Sequence, residues 1–168
     1  VSGSASVDAR AYDGPIKRAY IENVILDSKA LGISCICTDQ TDAEVSDIVF
    51  KNIRGNTHSV WGRFQNYNSG PSNIGNITIE DVNVIVGTSS VVANKGGVFN
   101  LEGQIDNVIF KNIFKEDFSN GKDFFVTTSE SDINNFTLDG MTMRSSGGTL
   151  ANPLFHHKGG SIEQLTMK

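Results

Sequence analysis

The chain repeats a short pattern of apolar and polar positions six times. Each copy has eight positions, with apolar residues at the first, fourth and sixth and, in four copies, Asn or Asp at the eighth. The copies begin 29, 29, 31, 28 and 29 residues apart, at Ile16, Val45, Ile74, Ile105, Ile133 and Ile162. A fixed period in this range is typical of one structural unit stacked on copies of itself.

Each copy predicts a strand that ends at a corner. The fourth and sixth positions are apolar, and the fifth and seventh are polar or mixed, as in Ile77-Thr78-Ile79-Glu80. This alternation predicts a strand with one buried face. Asn and Gly tolerate left-handed backbone, so the eighth position predicts a corner. Stacked corners align Asn side chains in a hydrogen-bonded ladder, which is a structural role. The sequons at Asn76 and Asn135 are likewise interpreted as repeat chemistry rather than as glycosylation sites.

A second strand is predicted in each unit by a short apolar segment between the copies. These segments are residues 32–37, 60–65, 97–102, 123–128 and 153–158, joined by Gly, Ser, Asn and Asp. Leucine-rich repeats share the first part of the pattern but often place a helix here. Because no helical periodicity is present, the pattern favours an all-β fold. We expect a right-handed, single-stranded parallel β-helix of about six coils, with about 28–31 residues per coil.

The repeat suggests one solenoid domain that continues beyond this sequence. Residues 1–15 are expected to be a lead or the end of a preceding coil, and residues 16–168 the β-helix. The sixth copy stops in mid-strand at Lys168, and neither end has the polar character of a cap. Three explanations stay open, namely a fragment of a longer protein, ends covered by a partner, or caps hidden in the lead. The first is favoured, so catalytic residues of the whole protein could lie elsewhere.

Composition restricts the partners. The net charge is −5 and the pI about 5.1, which argues against nucleic acid because phosphate binding requires a dense basic face. No apolar run approaches the roughly 18 residues that cross a bilayer, so no membrane partner is expected. The only cysteines, Cys35 and Cys37, are two residues apart and predict buried free thiols rather than a disulfide framework. That usage fits a reducing compartment better than a disulfide-rich secreted enzyme.

Candidate chemistry lies on the outward positions of the second-half strands and in the loops after them, because side chains of successive coils align there. Such positions could bind a long ligand. The candidate catalytic residues are Asp39, Glu102 and His156, and the candidate substrate-binding residues are Trp61, Arg63, Gln65, Tyr67, His157 and Lys158. Further outward candidates are Asp42, Glu44, Asn66 and Asn100.

These residue types suit carbohydrate chemistry. Two carboxylates can act as general acid and as base or nucleophile in glycoside hydrolysis, although stacking alone puts Asp39 and Glu102 about 10 Å apart. Arg63 could hold an acidic sugar, and Trp61 and Tyr67 could stack on sugar rings. His156 and His157 are adjacent, so they should point to opposite sides of a strand and not share a metal. No metal site and no cofactor are predicted, because no HExxH, paired CxxC, P-loop or GxSxG motif is present.

Residues 32–34 and 63–65, with the coil between them, resemble the central coils of the polygalacturonase family of glycoside hydrolases, within the pectin-lyase-like β-helix superfold. That family carries Gly-His-Gly-Ile-Ser and, one coil later, Arg-Ile-Lys. Here Leu31 replaces the histidine, and Arg63-Phe64-Gln65 matches the arginine alone. The family's Asn-Thr-Asp and Asp-Asp carboxylate motifs are not found. The resemblance implies the superfold. The chain also resembles phage tailspikes and capsule depolymerases, whose β-helices usually form homotrimers that bind and cut surface polysaccharide.

Three hypotheses follow. The first is a carbohydrate-active β-helix segment, of tailspike, depolymerase or glycoside-hydrolase type, that binds or cleaves a polysaccharide, with hydrolysis favoured over elimination. The second is a non-catalytic β-helical shaft, adhesin or assembly module. The third is a fragment of a pectin-type polygalacturonase. The expected partners are a polysaccharide or oligosaccharide and either a homotrimer or the rest of a longer chain. The expected location is extracellular or on a virion surface, or alternatively secreted from a bacterium.

Overall fold

A computed structural model describes the chain over residues 5–28, 31–38, 42–57, 61–66, 73–86, 98–117, 124–127, 130–145 and 154–168. All regular structure in these ranges is β-strand. Six parallel strands form sheet A, in the order β1 (Ala5–Ala11), β4 (Leu31–Cys37), β7 (Gly62–Asn66), β9 (Phe99–Glu102), β11 (Phe125–Thr127) and β13 (Phe155–His157). The strands β7, β9, β11 and β13 each begin two residues after the start of the predicted second-half segment, and β4 begins one residue before its segment. The predicted second strand of each unit is therefore confirmed.

Sheet B contains the six copies of the repeat. Its layers are β2 (Pro15–Lys17) with β3 (Tyr20–Ser28), β5 (Glu44–Ser46) with β6 (Ile48–Thr57), β8 (Asn73–Val86), β10 (Gln104–Asp117), β12 (Asp132–Ser145) and β14 (Ser161–Met167). The chain therefore alternates between two parallel sheets, which confirms a parallel β-solenoid. Each sheet is six layers deep, but the chain makes about four complete turns, so the predicted six coils is slightly too high as a count of turns.

Corresponding positions of the copies pair directly across sheet B. Ile16 pairs with Val45, and Ile105 pairs with both Ile74 and Ile133. Every strand pair in the described residues is parallel, and each copy of the repeat pairs with the next without a shift in register. The sequence period is therefore the length of one coil. The lead also takes part, because β1 pairs with β4 from Ala5 opposite Leu31 to Ala11 opposite Cys37.

The predicted corners are confirmed by the backbone. The eighth positions have φ angles of 50° to 80°, in the left-handed region, at Asn23, Asn52, Asp81, Asn112 and Gly140. Asn52 Nδ2 donates to Asn23 Oδ1 at 2.5 Å, and Asn112 Nδ2 donates to Asp81 Oδ1 at 3.0 Å. These hydrogen bonds join neighbouring coils and confirm the structural role of the corner residues.

A second amide ladder, which the sequence analysis missed, runs along the third positions of the copies. Asn76 Nδ2 donates to Asp47 Oδ1 at 2.8 Å, Asn107 Nδ2 to Asn76 Oδ1 at 2.7 Å, and Asn135 Nδ2 to Asn107 Oδ1 at 2.7 Å. The side-chain nitrogen of each sequon asparagine is therefore occupied in the ladder. This agrees with the interpretation of both sequons as repeat chemistry.

The interior is filled by the inward positions of both sheets. Phenylalanines from successive coils contact one another, and the ring centroids of Phe99 and Phe110 are 4.8 Å apart and those of Phe110 and Phe125 4.6 Å. All three rings are fully buried. Burying one such side chain contributes roughly 1.5–3 kcal/mol, so the aromatic stack is a large part of the stability of the middle coils.

The two thiols are also part of this interior. Cys35 and Cys37 are free and buried, and Cys37 Sγ lies 3.3 Å from the carbonyl oxygen of Asn73. The prediction of buried free thiols is confirmed. In the part of the chain described, no helix has the length and apolar character needed to cross a membrane.

Candidate functional site

Sheet A presents two columns of outward side chains, which we call the outer face. The backbone pairing of β1, β4, β7 and β9 aligns residues from four coils, and the residues between them on each strand, such as Cys35, Phe64 and Leu101, are buried in the core. The first column contains Asp8, Ser34, Arg63 and Asn100, and the second contains Arg10, Ile36, Gln65 and Glu102. Seven of these eight residues are polar, but Ser34, Ile36 and Gln65 are buried. A ligand on this face would therefore reach Asp8, Arg10, Arg63, Asn100 and Glu102.

One end of the outer face is an ion pair with an attached hydroxyl. Arg10 Nη2 lies 2.9 Å from Asp8 Oδ2, and Ser34 Oγ donates to Asp8 Oδ1. Ser34 is fully buried, whereas the Asp8 side chain is 27 % exposed. The Asp8 charge is therefore already compensated within the protein.

Farther along, a glutamine contacts a glutamate of the next coil. Gln65 Nε2 donates to Glu102 Oε2 at 2.8 Å, and the two residues are direct partners across β7 and β9. Gln65 is only 7 % exposed, and its Oε1 atom is buried without a hydrogen-bond partner. A buried acceptor without a partner costs about 1–3 kcal/mol, so this amide is held at an energetic disadvantage.

Arg63 lies between these two groups. It pairs in the sheet with Ser34 on one side and Asn100 on the other, and it is partly exposed. Over the ranges that the structure describes, its guanidinium has no hydrogen-bond or ion-pair partner. Five N–H donors thus remain available on a charged group whose neighbours in the column are neutral.

The structure corrects the prediction for Trp61. Its ring was expected to stack on a sugar, but it is fully buried, its Nε1 donates to the Gly55 carbonyl oxygen at 3.3 Å, and it packs on Phe99 with centroids 5.5 Å apart. The reason is local. The N–H groups of Trp61 and Gly62 both donate to the carbonyl oxygen of Val98, at 2.9 and 3.0 Å, so the alternation of side chains breaks just before β7.

The structure places His157 away from the outer face. Its Nδ1 is 2.7 Å from the Oγ1 atom of the buried Thr127, its partner across the sheet. His157 therefore continues a column that is inward in the preceding coils, although its own side chain is exposed. His156 pairs with Val126 in the outward column and is exposed, so the two rings do point to opposite sides. Lys158 is exposed just after β13.

Other candidates lie elsewhere. Asp39 and Tyr67 are outside the described residues. Glu44 is in sheet B, where Lys17 Nζ lies 2.5 Å from its Oε2 atom and Ser46 Oγ donates to its Oε1 atom at 2.7 Å. These hydrogen bonds, that of Lys17 first, lower the pKa of Glu44 below its ordinary value. Asp42 is exposed before β5, and Asn66 is buried in β7.

The sequence analysis did not include Asp8, Arg10 and Ser34 of the outer face among the candidates. A signal for the first two was present, because Val7-Asp8-Ala9-Arg10-Ala11 alternates as a half-buried strand does. The segment was interpreted as a lead because no earlier copy of the repeat precedes it.

The outer face lacks a matched pair of carboxylates for glycoside hydrolysis among the residues described. Asp8 and Glu102 are three strand spacings apart, about 14 Å, whereas such pairs are separated by roughly 5–9.5 Å. No group of three or more metal-ligating side chains occurs in the described ranges either.

Comparison with known proteins adds no assignment, because no family model, no curated protein and no solved structure matches the chain.

Proposed function

We propose that this β-solenoid binds an anionic polysaccharide along the outer face of sheet A, with Arg63 as the central contact. The observation that carries the proposal is the partly exposed guanidinium of Arg63, which has no partner within the described residues. A carboxylate or sulfate of the ligand would accept its hydrogen bonds. Charge-assisted hydrogen bonds of this kind are the strong ones in recognition.

The arrangement of the outer face supports an elongated ligand. Its polar side chains come from four coils spaced about 4.8 Å apart. A chain that lies along the stack would meet Arg63 and Asn100 in succession, both of which are partly exposed. The polar groups of this column suit the hydroxyl and acidic groups of a saccharide better than an apolar ligand.

Binding is proposed ahead of cleavage. The separation of Asp8 and Glu102 does not suit a hydrolytic pair, and Asp8 is already bound by Arg10 and Ser34. Hydrolysis, as in a polygalacturonase fragment or a tailspike depolymerase, would need a carboxylate other than the Asp8 and Glu102 pair of the outer face. This chain is then the part of the molecule that holds the polysaccharide.

The test is the affinity of Arg63→Ala for uronate oligosaccharides. Calorimetric titration with trimers of galacturonate, glucuronate and mannuronate should detect binding to the unmodified chain. Removing hydrogen bonds to a charged group costs about 1.5–3 kcal/mol, so Arg63→Ala should bind roughly 10- to 100-fold more weakly. Arg54→Ala is the matched control, because Arg54 is exposed on sheet B and should leave the affinity unchanged.

The second candidate function is a non-catalytic shaft or assembly module. The two amide ladders favour it, because they provide a rigid stack that requires no ligand. Under this alternative none of the three trimers binds, or Arg54→Ala and Arg63→Ala weaken binding equally. Either result contradicts the proposed function.

A further inference from the structure

We propose that Glu102, oriented by Gln65, forms a second subsite beside Arg63 that accepts hydrogen bonds from hydroxyl or amino groups of the same ligand. This inference rests on the proposed function, because it assumes that a saccharide lies on the outer face. Arg63 and Glu102 occupy neighbouring columns on adjacent strands. Diagonal positions of this kind are about 7–8 Å apart, so a single sugar unit can span them.

The first observation is that Arg63 and Glu102 carry opposite charges but do not pair. Over the described ranges, the salt bridges include neither residue, and the only hydrogen-bond partner of Glu102 is the neutral amide of Gln65. Long side chains at diagonal positions ordinarily reach each other. Here each charge keeps hydrogen-bonding capacity that a ligand with one acceptor group and one donor group would use.

The second observation is the cost at Gln65. Its amide nitrogen holds the Glu102 carboxylate at 2.8 Å, while its Oε1 atom is buried with no partner and the whole residue is 93 % inaccessible. The hydrogen bond to the Glu102 carboxylate contributes about 1.5–3 kcal/mol, and the orphaned acceptor costs about 1–3 kcal/mol, so Gln65 adds little net stability. The residue is explained if it orients Glu102 for a ligand. Gln65 is then a positioning residue and Glu102 the contact.

The chemistry of this subsite differs from that at Arg63. The Glu102 carboxylate can only accept hydrogen bonds when it is ionised, so it repels a second acid group and binds a hydroxyl or an amine. The ligand unit therefore carries an anionic group and, beside it, a donor group. Hydroxyl and ammonium groups can both donate hydrogen bonds to this carboxylate. If the donor is an ammonium group, neutralising Glu102 should weaken the binding of an amino sugar more than that of a sugar with hydroxyl groups only.

The experiment compares two anionic probes of equal charge, the tightest-binding uronate trimer and a three-unit acrylate oligomer that has carboxylates but no hydroxyls. The unmodified chain should bind the uronate at least 10-fold more tightly than the acrylate. In Gln65→Leu and Glu102→Gln this preference should fall to less than about 3-fold. The acrylate affinity should not fall in Glu102→Gln, because that change removes a carboxylate that repels the probe. Arg63→Ala should weaken both probes. Repeating the Glu102→Gln titration with a uronate–glucosamine disaccharide and its N-acetylated form, both of which keep the carboxylate for Arg63, separates ammonium from hydroxyl donors.

Thermal unfolding separates this role from a structural one. Gln65→Leu should unfold within a few degrees of the unmodified chain, because removing the orphan acceptor offsets the lost hydrogen bond to the partly exposed Glu102. A lower unfolding temperature together with equal loss of both probes would show that Gln65 only supports the fold. An unchanged uronate preference in Gln65→Leu and Glu102→Gln would overturn the subsite. If Arg63→Ala still weakened binding in that case, the proposed function would stand without it.

Discussion

At the scale of single residues, the buried thiols show how the interior changes ordinary chemistry. Cys35 and Cys37 occupy successive inward positions of β4 and are fully buried. Burial raises the pKa of Cys35 well above its ordinary value, with smaller contributions from Cys37 and Asp8. Burial likewise raises the pKa of Cys37 from 9.0 to about 11. Both thiols are therefore neutral in the folded chain at ordinary pH.

This predicts a loss of stability in alkali. An unfolded cysteine ionises near pH 9, whereas folded Cys37 ionises near pH 11, so the folded state binds more protons between these values. The stabilisation is complete below pH 9 and is lost as pH rises to 11, and Cys37 alone accounts for about 2–3 kcal/mol. Urea unfolding at pH 8 and pH 11 measures it. The control is the double variant Cys35→Ala, Cys37→Ala, whose stability should fall less. The prediction would be contradicted if the free energy of unfolding fell equally between pH 8 and pH 11 in the two proteins.

At the scale of strands, the seventh positions of the repeat form a column of alternating charge. Glu22 pairs with Lys51, Lys51 with Glu80, and Lys111 with both Glu80 and Asp139. Lys51 Nζ lies 3.3 Å from Glu80 Oε1. Opposite charges directly across a strand pair stabilise it, and like charges destabilise it. If a coil were skipped, residues of like charge such as Lys51 and Lys111 would pair. The alternation therefore favours the observed order of coils.

Reversing one charge tests the column. Lys111→Glu should destabilise the fold by about 1 kcal/mol at low salt, because it places a carboxylate between Glu80 and Asp139. The effect should shrink in 1 M NaCl, where exposed charges are screened. Lys111→Gln is the control and should cost less. Chemical unfolding at both salt concentrations measures the difference, and a salt-independent loss would mean that packing rather than charge is responsible.

Strand-scale patterns also explain what the sequence could and could not predict. The repeat predicted sheet B because its apolar alternation is uninterrupted around residues such as Ile77 and Ile79. The outer face of sheet A was harder. Trp61, Arg63 and Gln65 are spaced two residues apart, so an uninterrupted strand would point them to the same side. The N–H groups of Trp61 and Gly62 instead share the carbonyl oxygen of Val98, and this bulge turns the Trp61 side chain into the core. A bulge of this kind depends on the neighbouring coil and leaves no local signal. Likewise, the Arg63 candidate came from the sequence, whereas its lack of a partner needed the structure.

At the scale of the whole molecule, regular contacts between coils lie in sheet B, and the proposed binding surface lies on sheet A. Sheet B carries the corner ladder, the third-position ladder and the charge column, and each of these joins one coil to the next. The outer face instead holds the guanidinium of Arg63, which is unpaired within the described residues. Buried polar atoms without a partner do not distinguish the two sheets, because Gln65 Oε1 is in sheet A and Thr57 Oγ1, Asn73 Oδ1 and Asn83 Oδ1 are in sheet B. The charge of Arg63 is therefore the feature that a ligand would complete.

Amide chemical-shift mapping during titration with the uronate trimer tests this division most directly. The account predicts that shifts concentrate on the outer face, at Ser34, Arg63, Asn100 and Glu102. The exposed residues of sheet B, such as Glu22, Arg54 and Asn112, should not respond. Shifts centred on sheet B, or the absence of any saturable shift on the outer face, would contradict the account.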